Sequence, residues 1–275
     1  ASGHLIYVRD GVLVSQALDI GRATLTGPVT PLVDDMLLAE VPGQAQYEAS
    51  LSGAIAYQAR SLAVPSSLLW MSRDGRPGDV VMEPDTFITL DLSSDERVMA
   101  FTTGDNSVEN EEAPSLVSLF DFTRKLRTRV RLADARSAET PLLSPDGTRM
   151  VFAAHAKAGQ LAEVRLQAVN GTGPADVIAR GVNYHPIDWS ADGRYLLLHE
   201  IGTNMAFGRI ELLSVDLRGD RTPVLFVSND LASSAQGQFS PDGQFVAYSS
   251  DLSGRSEIYL RPFPVKGEPL TISAN

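Results

Sequence analysis

SPDGQFVAYSSDLSGRSEIYLRPFP, residues Ser240 to Pro264, decides the fold. It opens with a turn signal and runs through an alternating strand in which Phe245, Ala247 and Ser249 oppose Val246, Tyr248 and Ser250. It turns again at DLSGRS and continues as a second alternating strand, Glu257 to Arg261. Two β runs joined by Asx-Gly chemistry specify antiparallel hairpins. Glycine supplies the positive φ of the reversal, the Asp before it bonds its own backbone two residues on, and Pro241 sits at a strand end where no ladder N–H is needed.

The same signal recurs upstream. Its last residue is Gly3 in SGHLIYV, Gly53 in SLSGAIAY, Glu96 in SSDERVMAF, Gly147 in SPDGTRMVF, Gly193 in SADGRYLLL and Gly243 in SPDGQFVAY, at spacings of 50, 43, 51, 46 and 50 residues. A repeat of about 40–50 residues with four strands per unit is that of a propeller blade. The expectation is an all-β fold, a six-bladed β-propeller of four-stranded antiparallel blades, forming one domain over 1–275 with blades near 1–35, 44–84, 86–134, 138–181, 184–229 and 235–275. In the fifth unit the strands read Tyr184 to Trp189, Tyr195 to Glu200, Ile210 to Asp216 and Val224 to Ser228. The first blade is incomplete, because the chain begins at a turn signal and lacks the strand that should precede Gly3. Closed propellers tie the first and last blades together with a strand from the other terminus, so one terminus or both is expected to be a cut in a longer chain.

Composition excludes several functions. The 275 residues are 43% hydrophobic and 21% charged, enough apolar material for a substantial core. No cysteine is present, which removes disulfides, thiolate metal sites and cysteine nucleophiles. No apolar run approaches the roughly 18 residues of a membrane span, and ASGHLIYVRDG is not a signal sequence. A net charge of −11 speaks against a nucleic-acid partner, since phosphate binding needs clustered Lys and Arg. The one basic cluster, Arg124 to Arg131, alternates with Leu126, Thr128 and Val130 and reads as a strand with one wet face.

SPDGTRMVFAA at Ser144 to Ala154, DWSADGRYLLL at Asp188 to Leu198 and FSPDGQFVAYSSDLSGRSEIYLRPFP at Phe239 to Pro264 resemble the blades of TolB-type six-bladed propellers with their WD-like turn. More narrowly, GHLIYVRDGVLVSQALD at Gly3 to Asp19 and EIYLRPFP at Glu257 to Pro264 resemble the propeller regions appended to bacterial serine/threonine protein kinases. That resemblance implies a sensor or protein-binding module beyond a membrane span, periplasmic or extracellular, with a kinase domain upstream of residue 1. The segment itself has no HRD, no DFG and no phosphate loop. SPDG blades also occur in periplasmic transport accessories and as non-catalytic domains of serine peptidases.

Motifs for chemistry are lacking: G-x-S-x-G, H-E-x-x-H and the dinucleotide and P-loop glycine patterns are all absent. The repeated Ser144/Asp146, Ser190/Asp192 and Ser240/Asp242 suggest a catalytic dyad, but every blade needs the same reversal, and turn formation is the simpler reading. His4, His155, His185 and His199 do not pair at metal-ligand spacing along the chain, although propellers assemble sites from different blades. His185, before Pro186 at the start of an innermost strand, stands where a channel mouth would be, and its plainer reading is a strand-end surface residue; His199 reads as packed. Trp189 is expected in the core with its indole N–H partnered, and Trp70 between blades.

Function is expected where units deviate from the repeat. The candidate ligand-face residues are Asp105, Glu109 and Glu111 in the acidic loop Gly104 to Pro114, Asn183 and His185 at a strand start, and Asn204 in the loop Gly202 to Gly208. The acidic loop has oxygen ligands suited to calcium or another divalent ion but lacks the order of a dedicated calcium loop, so no cofactor is expected. The leading expectation is a non-catalytic propeller that binds a protein, peptide or small molecule, with cationic partners favoured. Two alternatives are a metal-dependent propeller enzyme, lyase or hydrolase, with His and carboxylates converging in the channel, and the gating domain of a serine peptidase.

Overall fold

The computed structural model describes residues 3–9, 12–19, 22, 24–33, 47–49, 55–57, 66–72, 76–104, 115–130, 132, 134–155, 161–171, 173–201, 210–227, 233–265 and 267–273. They form six antiparallel sheets arranged as propeller blades, with no helix among them. Blade 1 is β1 (His4–Arg9), β2 (Val12–Asp19) and β3 (Thr24–Val33); blade 2 is β4 (Tyr47–Ala49), β5 (Ile55–Tyr57), β6 (Ser66–Met71) and β7 (Pro77–Asp85). Blade 3 is β8 (Phe87–Leu92), β9 (Val98–Thr103), β10 (Leu116–Asp121) and β11 (Leu126–Arg129). Blade 4 is β12 (Ser137–Leu143), β13 (Arg149–His155), β14 (Ala162–Ala168) and β15 (Asp176–Gly181). Blade 5 is β16 (Tyr184–Trp189), β17 (Tyr195–Ile201), β18 (Ile210–Asp216) and β19 (Val224–Val227), and blade 6 is β20 (Ser234–Phe239), β21 (Phe245–Ser250), β22 (Glu257–Pro262) and β23 (Leu270–Thr271).

Blade 1 has three strands. Gly3, at φ 64, immediately precedes β1, as Gly147, Gly193 and Gly243, at φ 67, 69 and 68, stand just before the second strands of blades 4, 5 and 6. By that equivalence β1 takes the second place in its blade, and among the described residues no strand fills the innermost place of blade 1.

The repeated turn owes its form to three side-chain bonds. In blade 4 Ser144 Oγ donates to Asp146 Oδ1 at 2.6 Å, Thr148 N–H donates to the same oxygen at 3.0 Å, and Arg149 N–H donates to Ser144 Oγ at 2.9 Å. Ser190 with Asp192 and Ser240 with Asp242 repeat the arrangement. The Ser144 hydroxyl and the Thr148 amide, followed by the Thr148 hydroxyl, hold the Asp146 carboxyl down at about 2. The serine and aspartate of these three anchors are thus consumed by the turn, as its recurrence implies.

The core lies between blades. β13 sends Met150, Phe152 and Ala154 toward blade 3, where they join Ala100, Val117 and Leu119, and sends Val151 toward blade 5, where it joins Leu196, Leu198 and Val215. β17 does the same one blade on, with Leu197 packing on Val246 and Tyr248 of blade 6. Alternate side chains of one strand therefore serve two interfaces, which is why these strands are apolar on both faces. Similar clusters join blade 1 to blade 2 and blade 2 to blade 3. Trp70 meets Phe122 across the latter interface, with ring centroids 5.2 Å apart, as expected of a tryptophan between blades.

Two sequence expectations are corrected here. Trp189 is buried, but its Nε1 has no hydrogen-bond partner among the described residues; the ring is covered by the Arg149 guanidinium, 5.7 Å from its centroid. The basic strand β11 is exposed on both faces, not one, with Leu126 54% exposed, because it is the outermost strand of its blade. Arg127 reaches inward over the Phe101 ring and pairs with Asp85, which accounts for part of the basic cluster without an anion.

Candidate functional site

The innermost strands β8, β12, β16 and β20 stand side by side around the ring's centre. Antiparallel pairing puts the start of each against the end of the second strand: Phe87 opposes Thr103, Ser137 opposes His155, Tyr184 opposes Glu200 and Ser234 opposes Ser250. This end of the channel is opposite the repeated turns. It is also the end where β9 stops and β10 starts, and where β17 stops and β18 starts, so the connections holding Asp105, Glu109, Glu111 and Asn204 leave from it. Those four residues lie outside the described residues.

Each inner strand of blades 3 to 6 carries a bulge near this end, between Phe87 and Thr89, Glu139 and Leu142, Pro186 and Asp188, and Ala235 and Gln238. At two of them a non-glycine residue takes positive φ, Thr140 at 48 and Gln236 at 55. For a β-branched threonine this is a strained backbone held by its surroundings.

Between blades 4 and 5 the mouth gathers Glu139 of β12, His155 at the end of β13 and His185 of β16. One ligand-type atom from each lies within 4.8 Å of those from the other two. The His155 and His185 rings have centroids 5.8 Å apart. Among the described residues neither His155 Nε2 nor Thr140 Oγ1, both buried, has a hydrogen-bond partner. Leaving a buried polar atom unmatched costs about 1–3 kcal/mol. His185 Nε2 lies 3.3 Å from Asn183 Oδ1, and Asn183, at φ 57, holds the left-handed conformation that Asn tolerates better than most residues.

His185 keeps part of its surface exposed, but dense protein surrounds it. Burial therefore pushes it down to about 4; the Glu139 carboxylate pulls it up, and His155 adds a smaller push down. Its ring is neutral at pH 7 and has a lone pair to offer. The reading of His185 as a strand-end surface residue is thus replaced by a half-buried residue packed against a second histidine. His199 differs. It is 3% exposed, its Nε2 accepts the Gln236 N–H at 2.9 Å, and burial pushes it down to about 3, so it ties blade 5 to blade 6 as the packed residue the sequence suggested.

Two carboxylates further along the channel were not singled out by sequence reasoning. Asp91 Oδ2 accepts the Leu143 N–H at 2.5 Å, and Asp188 Oδ2 accepts the Phe239 N–H at 2.6 Å, each reaching from one inner strand to the next blade's. Burial pushes both up to about 7 against those hydrogen bonds, and the Asp188 charge raises Asp91 further although blade 4 separates their strands. The two hydrogen bonds tie neighbouring inner strands together, Asp91 joining β8 to β12 and Asp188 joining β16 to β20. Their signal was present: each stands two residues before the anchor serine, in DLS at Asp91 and DWS at Asp188, where blades 4 and 6 have Leu142 and Gln238. On the opposite face a cleft of about 480 Å³ lies between Trp70, Arg76, Gly78, Glu96 and Phe122, at the boundary of blades 2 and 3.

Solved structures share this architecture. TolB from Acinetobacter baumannii superimposes with a TM-score of 0.61 at 17% identity, over 98% of this chain and 68% of that one. The fold is that of a TolB-type propeller. A chain of a nidogen/laminin complex gives a TM-score of 0.67 at 10% identity, covering 97% of this chain and 92% of that one. A prolyl endopeptidase gives 0.57 at 15% identity, over 83% of this chain and 36% of that one. At these identities the TolB-type likeness is one of fold. No protein-family profile matches the chain, and no curated protein matches it in sequence.

Proposed function

We propose that this propeller is a non-catalytic binding module that takes a polar ligand, a peptide or small molecule, at the channel mouth between blades 4 and 5. One observation carries the reading: His155 Nε2 and Thr140 Oγ1 are buried there with no hydrogen-bond partner among the described residues. Such atoms cost stability unless a ligand or ordered water engages them. Thr140 adds backbone strain, which concentrates at functional sites. The net charge of −11 favours a cationic ligand by steering. The resemblance of Gly3 to Asp19 and Glu257 to Pro264 to kinase-appended propellers supports a sensory role in a longer bacterial signalling protein, periplasmic or extracellular. The nidogen/laminin complex shows a propeller of this shape in a protein assembly, which supports a protein partner as a variant of the same role.

The test is a ligand-observed NMR screen of free amino acids, dipeptides and tripeptides against the wild type, Thr140→Gly and Asn183→Gly. Glycine accepts both positive-φ positions, so the variants remove side chains without distorting the backbone. Hits should bind the wild type and weaken at least tenfold in either variant. Hits that bind all three proteins equally would place the ligand elsewhere and sink the proposal.

A further inference from the structure

We propose that Glu139, His155 and His185 form a three-residue site for a divalent transition-metal ion of the zinc class, with a coordination position open to the channel. This rests on the binding reading above and deepens it, because the ion would hold a carbonyl or the terminal carboxylate of a peptide whose net charge is cationic.

The donor set points to the ion. Two imidazoles and one carboxylate suit a borderline cation such as Zn²⁺, whereas Ca²⁺ takes six to eight oxygens. Three protein ligands with a fourth place free is the pattern of zinc sites that bind water or substrate; closed structural sites use four. Zinc takes such ligands at about 2.0–2.2 Å, so in a tetrahedron they stand about 3.3–3.6 Å apart. The three donor atoms already lie within 4.8 Å of one another at one corner of the mouth, so side-chain rotation would have to bring even the most widely separated pair only about 1 Å closer.

Three further features agree. His155 belongs to this group of three, and its Nε2 is buried with no hydrogen-bond partner among the described residues, a polar atom for which a ligand or ion would compensate. Asn183 Oδ1, 3.3 Å from His185 Nε2, favours the tautomer with hydrogen on Nε2 and leaves the Nδ1 lone pair for the ion. Metal-binding histidines are routinely fixed through their second nitrogen in this way, so Asn183 is a positioning residue. The bulge after Glu139, with Thr140 at φ 48, redirects β12 at this point, and bulges commonly re-aim side chains beside sites. The fourth member of the histidine set is excluded by its own bond, since His199 Nε2 already accepts the Gln236 N–H.

The experiment uses the tag-free chain, stripped with chelator and titrated calorimetrically with Zn²⁺ and separately with Co²⁺, whose visible absorption reports coordination number. One equivalent should bind, and the Co²⁺ form should show the intense bands of four- or five-coordinate geometry. His155→Ala and His185→Ala should each weaken binding at least tenfold, Glu139→Gln about tenfold, and Asn183→Gly about tenfold through His185. His4→Ala, exposed at the start of β1, should leave it unchanged. Glu139→Gln preserves size and keeps the test open if a histidine variant fails to fold. No saturable binding, or equal binding by wild type and His155→Ala, would overturn the site. If zinc fails to bind while peptide hits still depend on Asn183, the metal assignment falls and the binding module stands. If zinc binds and no hit depends on the mouth, the reverse holds.

Discussion

At Glu96 the backbone stands at φ 58 in a turn where blades 4, 5 and 6 place glycine, and yet the turn forms. Ser93 Oγ donates to Asp95 Oδ1 at 2.8 Å, Arg97 N–H reaches the same oxygen at 3.2 Å, and Val98 N–H donates to Ser93 Oγ at 3.0 Å. The network over-determines the reversal, so the missing glycine costs stability without costing the fold. A left-handed non-glycine residue costs about 1–2 kcal/mol, and glycine returns about 0.5–1 in unfolded-state entropy. Glu96→Gly should therefore stabilise the chain by roughly 0.5–1 kcal/mol in urea unfolding; a loss of stability would mean that Glu96's own contacts outweigh the strain. Conversely, Ser190→Ala removes the bond to Asp192 and orphans the Tyr195 N–H, and should lower stability by about 1–2 kcal/mol in the same assay. Turn chemistry of this kind was legible residue by residue because it is local. The unpartnered Trp189 Nε1 was not, since a buried N–H finds its partner, or fails to, in another strand.

Strands were legible because their period and their bounding turns agree. The four expected in the fifth unit differ from β16, β17, β18 and β19 by no more than one residue at any end. What alternation did not announce is the bulge in each inner strand of blades 3 to 6; in blade 5 it shifts the side-chain parity, so that Ile187 and Trp189 come to serve different interfaces. The channel aspartates follow from this element-level geometry and give it a pH signature. Asp188 is raised to about 7 by burial, so the folded state holds its proton more tightly than the unfolded chain. Its stabilising form is complete below about pH 4 and is lost as pH rises toward 7. Asp188→Asn keeps an acceptor for the Phe239 N–H and has no charge to bury. It should match the wild type near pH 4 and exceed it by about 2–4 kcal/mol at pH 8, since each tenfold difference in proton affinity between the folded and unfolded chain is worth about 1.4 kcal/mol. Urea unfolding of both proteins at pH 4, 6 and 8 checks the sign, and a variant less stable than the wild type at pH 8 would show that the carboxylate is held charged by its hydrogen bonds.

Across the whole ring, the same alternation that made the blades readable hid the site. Glu139 and His185 are 46 residues apart, about one blade period, and meet only because consecutive inner strands stand side by side. Glu139 has no motif around it, and His155 ends a strand that reads as core. The end of β9, the end of β17 and the start of β16 all lie at the same channel end, a relation that becomes visible when the repeat is laid out as antiparallel blades. The ring also makes stability a property of pairs of blades. Phe152 is fully buried and packs with Ala100, Val117 and Leu119 of the preceding blade. Phe152→Ala should cost about 3–5 kcal/mol, where Leu126→Ala on the exposed rim should cost about 0.5 or less. If the core truly lies between blades, amide hydrogen exchange in Phe152→Ala should speed up in β9 and β10 as well as in β13 and β14. Acceleration confined to blade 4 would mean that each sheet is stable alone and that the interfaces merely align them, which the five shared clusters argue against.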